Sequence, residues 1–546
     1  MSEFKKQAPK DLTIIDQQDS LYHYARVISN TRFGHQPDSI AYCEDARHVQ
    51  YCINFARDHK RTFRVRSGGH QHEGMCSGIG VIIIDLSKMN TIEYLGNDDH
   101  EAWIPAGKQL QSVYNELESR NRIIPGGGCQ SVNVGGITQG GGWGLSIRNF
   151  GMTCDNIIEA EIVLANGCVE IVSEDYLPDL FWSLKGGGGG NFGVVTRFKF
   201  KLSTLTSKVT SFTLIWTKPK EVKAIVKKWM DVHALTGKSE LNPALSSFCS
   251  MIVVDPGEKE LDNDQKSLVN TRMGGQFYGS KKKLIKVLRK HFKSLIPCEA
   301  DFAFLEEVSY KQKKKKPLTL RSEVQIESKK EPFSSLTKHQ AVVADYLNPT
   351  APLGMEAGEK CGSRNYRVLP KAPSSTCDRP HPHKVSSSFP KEYEKKDNKK
   401  MVEEIYNFLS KSCYYNDVNK YMSFHCLGGA VRKNPKDRVF AFSEKPYMLQ
   451  IQCWWDDISN AFTNQSRNEE YVKWVAEFRT HISKLTEGSF INFVDKDLVK
   501  NPETPEGRLK LLRIYYGEKN LQKLRKHKTA FDAENLFEFE MSIPLL

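Results

Sequence analysis

Residues 124–144 read IPGGGCQSVNVGGITQGGGWG, and an earlier stretch, 64–74, reads RVRSGGHQHEG. Nine glycines in the first stretch rule out a helix interior or an ordinary strand, because each costs close to ~1 kcal/mol of backbone entropy relative to alanine there. The composition instead suits a backbone that something must approach closely. Successive glycine N–H groups form an anion-binding concavity, and a missing Cβ lets a flat ring or a pyrophosphate lie against the main chain. A nucleotide cofactor is the expected ligand. No GxxxxGK[ST] is present, and GGITQGGG does not close a strand and open a helix as a Rossmann fingerprint does. Each loop carries one nucleophile after its glycines: His70 after Gly68 and Gly69, Cys129 after Gly126, Gly127 and Gly128.

RSGGHxxEG together with PGGGCxxVxVGG resembles the berberine-bridge-enzyme-like branch of the FAD-linked oxidases. Residues 155–167, 179–202 and 515–544 resemble further segments of that family, in family order. The resemblance implies an α+β fold, a PCMH-type FAD-binding domain of two subdomains with an inserted antiparallel-sheet substrate domain backed by helices. Residues 1–205 and 496–546 would form the FAD-binding domain, and 206–495 the substrate-binding domain. FAD would be attached covalently through both His70 and Cys129. By the same resemblance Arg66, Ser67, Gly68, Gly69 and Gln71 would cradle the pyrophosphate. Gly135, Gly136, Thr138, Gly141 and Gly144 would follow the ring and ribityl chain, and Gly190, Asn191 and Val195 would lie beside the flavin and adenine. The run Gly186 to Gly190 reads as backbone packed against the cofactor.

Catalytic residues depart from the family pattern. His72 stands where relatives commonly carry tyrosine, the segment 490–495 reads FINFVD where relatives often read YxNYxD, and Trp143 replaces a third family tyrosine. His72 is the candidate base, since an unperturbed imidazole titrates near neutrality. Gln450 and Gln452 alternate onto one face of a strand and resemble a polar pair facing substrate. Tyr421, His425 and Asn492 are further candidates. Val132, three residues after Cys129, resembles the residue that gates dioxygen in the family's oxidases.

The resemblance implies an oxidase of a carbinol or hemiacetal carbon in a sugar, glycoside or secondary metabolite. A base deprotonates the hydroxyl, hydride passes to flavin, and dioxygen reoxidises it to give hydrogen peroxide. Oxidative C–C or C–N ring formation on an alkaloid-like substrate and a flavoprotein without turnover are the alternatives.

Hydrophobic content of 39% and charged content of 26% are those of a globular chain, and 546 residues hold more than one core. The formal charge of +13 comes mostly from lysine, whose densest run, KQKKKK ending at Lys316, has no interleaved aromatics. Nucleic acid is therefore not an expected partner; the small-molecule substrate and dioxygen are. No apolar run reaches the roughly 18 residues of a membrane span, and residues 1–16 lack a signal-peptide core, so a cytoplasmic location is the default. Thirteen cysteines without CxxC pairs or metal-like spacing predict no metal site, and Cys43, Cys52, Cys154 and Cys168 read as small core residues. Strands are expected over 246–254, 273–278, 421–430 and 447–455, helices over 221–235, 281–295, 401–409 and 469–485, and an irregular excursion over 348–390. The oligomeric state is not legible.

Overall fold

The computed structural model describes residues 3–310, 380–455 and 465–546, apart from 97, 258–260, 262, 263 and 416. The lysine run ending at Lys316 and most of the expected excursion lie outside the described residues.

Two small sheets carry the glycine loops. One has four strands in the order Thr13–Asp16, Ser39–Tyr42, Ile82–Asp85, Phe63–Arg66. Its last two strands run parallel, with Arg66 level with Asp85, so the His70 loop leaves from a strand end. Helix Ala46–Asp58 precedes Phe63–Arg66 and buries Val49, Cys52, Ile53 and Ala56, the residues at helical spacing, against this sheet; Asp45 caps it by accepting from the His48 N–H. The second sheet has five strands, ordered Glu93–Leu95, Glu101–Pro105, Val194–Lys201, Ile157–Val163, Val169–Ser173. Asn166 and Gly167 turn the last hairpin, with Gly167 at φ 83°, the left-handed geometry that favours glycine. Cys43, Cys52 and Cys154 are buried; Cys168, in that turn, is exposed, a correction to its reading as a core residue.

An eight-stranded antiparallel sheet lies apart in sequence. Its order is Phe304–Ser309, Lys208–Trp216, Leu268–Phe277, Leu245–Val254, Val418–Cys426, Tyr447–Trp455, His383–Pro390, Thr486–Glu487. Strict alternation sets its two faces. Cys249, Met251, Met273, Met422, Phe424, Leu449, Ile451 and Trp455 point into an apolar core. Helices Pro219–His233, Lys281–Phe292, Lys395–Ser410 and Gln465–Ile482 accompany the sheet, and Trp229, Leu288, Ile405 and Phe478 join the same core. Strand His383–Pro390 falls inside the stretch read as irregular. Its prolines and serines hide the signal, and pairing with Tyr447–Trp455 from His383 to Ser388 supplies the order.

The final helix, Pro505–Phe531, is broken at Gly517 (φ 70°). Leu511, Leu512, Tyr515, Tyr516, Leu521 and Leu524 enter the core formed by the two small sheets. Lys528 fastens this end. Its fully buried ammonium donates to Asn191 O at 2.8 Å, to Phe537 O at 2.9 Å and to the Asp532 carboxylate at 2.6 Å. Lys528→Met would strand the Asp532 charge, so the substitution is expected to cost about 3–5 kcal/mol, read as a lowered unfolding midpoint. A loss below about 1 kcal/mol would show that the tail is held without this ion pair.

Candidate functional site

The two glycine loops meet across Asn133. Its side-chain amide donates to Ser67 O at 2.9 Å and to Gly107 O at 2.6 Å, and a Cβ on Gly68 would lie 2.8 Å from the Asn133 backbone nitrogen. Glycine at 68 is thus a requirement of loop-on-loop contact. Nε2 of His70 lies 3.1 Å from the Ser131 hydroxyl, a second link between the loops.

Both loops open into a cavity of about 610 Å3 whose far wall is the polar face of the eight-stranded sheet. Ser67, Gly68, Gly69, His70, Gln71 and His72 line it from one loop, and Cys129, Val132, Gly135 and Gly136 from the other. Gly190, Asn191 and Val195 line it as well, with Gly188 and Gly189; Gly186 and Gly187 do not. A Cβ on Gly136 would meet nothing within 4 Å, and one on Gly190 nothing nearer than 3.9 Å, so bare backbone faces the space. Glycine walls, a short helix at Val134–Gln139 and a partly open, mostly apolar interior fit a flat ring with a phosphate-bearing tail. FAD is the group these residues fit.

Four residues assigned to the cofactor do not face the cavity. Arg66 is buried against the Asp85 carboxylate, its register partner, because a charge at a buried strand end needs a counter-ion. Thr138 is fully buried on the inner side of its short helix. Gly141 turns at φ 107° against the Met152 methyl and Phe490, and a Cβ on Gly144 would collide with Gly126 O, so both serve chain crossing. Cys129 lines the cavity, but its sulfur is engaged in a disulfide in this structure while ten other described cysteines are free. Attachment to a flavin would require that bond to be open.

His72 sits at the junction of loop and sheet. Its Nδ1 lies 2.9 Å from Nε2 of His383, and Nδ1 of His383 lies 2.8 Å from His381 O. A carbonyl only accepts, so His383 carries its proton on Nδ1 and, when neutral, offers a lone pair at Nε2. His72 then donates through Nδ1, which leaves its own Nε2 as an acceptor. Burial, with the charges of His70 and Lys384, lowers the His72 pKa to about 3, and burial brings His70 to about 4. Asn30 aligns the pair: its amide donates to His72 O at 2.7 Å and to His383 O at 3.0 Å, and its oxygen accepts from the His383 N–H at 3.1 Å. Behind them the Lys384 ammonium lies 2.5 Å from Glu73, 2.7 Å from Asp495 and 2.7 Å from Asp497. Burial opposes ionisation of Asp495, yet Lys384 and Arg479 hold its pKa at about 2.

The remaining candidates divide. The Tyr421 hydroxyl donates to Gln452 Oε1 at 2.7 Å, Trp454 Nε1–H donates to the same oxygen at 2.9 Å, and Gln452 Nε2 donates to Gln450 at 2.8 Å. All four line the cavity as one connected network. Asn492 also lines it, but both ends of its amide bind the glycine loop, accepting from the Gly142 N–H at 3.0 Å and donating to Gly136 O at 3.3 Å. It is a brace. His425 stands edge-on to Trp143, centroids 4.3 Å apart, and neither ring nitrogen makes a hydrogen bond of ordinary geometry. Burial lowers its pKa to about 4, with Gln450 opposing. Asn30, His383 and Lys384 escaped the sequence reading; the HPHK tetrapeptide at 381–384 was the available signal, and its proline-rich surroundings masked it.

Fold and site together define a flavin-dependent oxidoreductase, and comparison with known proteins agrees. The FAD binding domain family matches residues 37–173, and the berberine and berberine-like family matches residues 489–544. A Bacillus subtilis protein described as the uncharacterized FAD-linked oxidoreductase YgaK is 27% identical over 541 residues, covering 98% of this chain and 97% of its own. The Arabidopsis thaliana monolignol oxidoreductase AtBBE-like 13 is 26% identical over 511 residues, 91% of this chain and 82% of its own. Among solved structures, BBE-like #28 from Arabidopsis thaliana superposes with a TM-score of 0.74 at 23% identity, covering 98% of both chains. Chitooligosaccharide oxidase does so with a TM-score of 0.72 at 19% identity, covering 98% of this chain and 97% of its own. These two likenesses concern the fold. Over nearly its whole length the chain is similar to berberine-bridge-enzyme-like FAD-linked oxidoreductases.

The buried neutral histidines make stability pH-dependent. For His425 the folded pKa of about 4 lies below the unfolded value near ~6.5, so the unfolded chain binds the extra proton between them. Its contribution is complete above about pH 6.5 and is lost as pH falls toward about 4, up to ~3 kcal/mol. His425→Phe is expected to shrink the drop in melting temperature between about pH 7 and about pH 5. An unchanged drop would mean that His425 is protonated in the folded protein.

Proposed function

We propose that the chain oxidises a carbinol or hemiacetal carbon of a sugar, glycoside or other secondary metabolite, with FAD tethered through His70 and Cys129 and dioxygen as the final acceptor. Bound flavin would take the hydride from the substrate carbon and pass the electrons to dioxygen, yielding hydrogen peroxide. The observation that carries the reading is the His72–His383–His381 chain at the cavity wall, because it leaves one imidazole nitrogen unprotonated and fixed in direction. A hydroxyl on the substrate would donate to that nitrogen. Burial takes His72 far from the near-neutral titration expected of an imidazole, so it meets the hydroxyl as an unprotonated acceptor but a weak base, and the proton would have to leave together with the hydride because a separate alkoxide-forming step would be uphill. As Nε2 gains the proton, Nδ1 can share its own with His383, which spreads the charge. Val132, half-buried in the cavity wall, would leave the small apolar space that dioxygen needs.

The names of relatives support hydroxyl-bearing substrates: a monolignol oxidoreductase, a chitooligosaccharide oxidase and a grass pollen allergen with glucose dehydrogenase activity. Residues 1–205 with 496–546 would form the flavin-binding unit, and a small-molecule substrate and dioxygen are the only partners the reading needs. No described helix is long and apolar enough to cross a membrane; ten free cysteines favour the cytoplasmic location read from the sequence, and the Cys129 disulfide stands against it. One observation favours a second base: His425 shares the cavity and makes no ordinary hydrogen bond there.

Anaerobic stopped-flow mixing of the flavin-loaded protein with a panel of sugars and aryl carbinols separates these readings. Bleaching of the flavin spectrum is expected, and His72→Phe is expected to slow it by about two to four orders of magnitude, His383→Ala by less. An unchanged rate in His72→Phe with a collapse in His425→Phe would transfer the role to His425. Failure of every substrate to bleach the flavin would contradict the oxidase reading.

A further inference from the structure

The cavity face of the eight-stranded sheet holds a cation that the proposed chemistry does not use. Arg272, in strand Leu268–Phe277, is level with Ser250 on the neighbouring strand, Ser250 with Ser423, Ser423 with Gln450, and Gln450 with Ser387. Cross-strand partners point to the same face, so this polar row crosses the sheet with a guanidinium at one end. The Ser250 and Ser423 hydroxyls bond each other at 2.9 Å. Arg272 lines the cavity, lies 5.3 Å from the centre of the Phe248 ring, and makes no ion pair or hydrogen bond among the described residues; its Nε is buried without a partner.

The fully buried arginines among the described residues are compensated. Arg148 donates to the carbonyls of Leu241, Leu245 and Leu427, and Arg438 pairs with Asp155 and Ser443. Arg272, half-buried, has no such answer among the described residues. A guanidinium stays charged in proteins, and a buried charge without a counter-ion is costly. Tyr421, the one titratable group whose charge would favour it, is pushed above its usual range by burial and stays neutral. No described residue supplies its partner, and an anion that enters with the ligand would.

We propose that Arg272 is the specificity residue for a carboxylate on the substrate, so that the molecule oxidised is a hydroxy acid, with its carbinol toward His72 and its carboxylate across the cavity at Arg272. The planar fork matches a carboxylate bidentately, the Phe248 ring supports an apolar or ring-shaped body beside it, and one unpaired cation balances one negative charge. This deepens the reading of the cavity as an oxidase site and rests on it.

The test separates the two claims because it needs no turnover. Benzoate and benzamide are titrated into the flavin-loaded protein by calorimetry, for the unmodified chain, Arg272→Gln and Arg272→Lys. Benzoate is expected to bind roughly 10- to 100-fold more tightly than benzamide, the gain of a charge-assisted pair. Arg272→Gln should erase the preference and leave benzamide affinity unchanged, and Arg272→Lys should keep part of it. Arg272→Gln should melt no lower than the unmodified protein, since it removes an uncompensated charge; a lowered melting temperature would assign the residue a structural role instead. No binding of benzoate, equal binding of the two, a preference that survives in Arg272→Gln, or tighter binding of phenyl phosphate than of benzoate would each overturn the proposal. Carboxylate preference without flavin bleaching by any hydroxy acid would leave Arg272 as a binding residue and remove the oxidase reading alone.

Discussion

One buried ammonium joins the parts on which the site depends. Lys384 belongs to the eight-stranded sheet, Glu73 to the histidine loop, and Asp495 and Asp497 to the segment that leads to the last helix. Taking these charges out of water is expensive, and only their close mutual pairing, with Arg32 on Glu73 and Arg479 on Asp495, makes the arrangement tenable. The consequence is geometric. His72 precedes Glu73 and His383 precedes Lys384, so clamping the charged neighbours sets two imidazoles in hydrogen-bond contact at the cavity wall. Three carboxylates converge there, as in a metal site, but the Lys384 ammonium already sits among them.

The sheet opposite the glycine loops answers two demands through period-two alternation. One face supplies methionine, cysteine and aromatic side chains to a core shared with helices. The other presents serine, glutamine, tyrosine, histidine and one arginine to the cavity. Such a face is costly to bury unless its groups are paired, and most are, through the Tyr421, Gln452 and Gln450 network and the Ser250 to Ser423 bond. Arg272 and His425 are among the exceptions, where a ligand has something left to satisfy.

Much of the cofactor side was legible because glycine and nucleophile spacing is local. His70, Cys129, Val132 and the turns around them could be read from two short stretches, and the structure brings them to one cavity. Gly141, Gly144 and Arg66 do not line that cavity, which the sequence could not show: a glycine needed for a chain crossing looks the same in sequence as one needed for a ligand, and an arginine gives no sign of its buried counter-ion. Asn30 lies in a stretch without periodicity, and its contacts are with residues 42 and 353 positions away. Strand His383–Pro390 was hidden by its prolines and serines, since its order comes from pairing with Tyr447–Trp455. The polar row ending at Arg272 exists only once five strands are aligned.

The central claim is that the two glycine loops hold a single flavin between His70 and Cys129. The direct measurement is acid precipitation of the flavin-loaded protein followed by proteolysis and mass analysis of the yellow peptide. The account predicts that colour stays with the denatured chain and that one flavin adduct joins the peptides around His70 and Cys129, with either single replacement leaving attachment through the other. Release of free FAD, or an adduct at His70 alone with Cys129 kept in a disulfide, would contradict it.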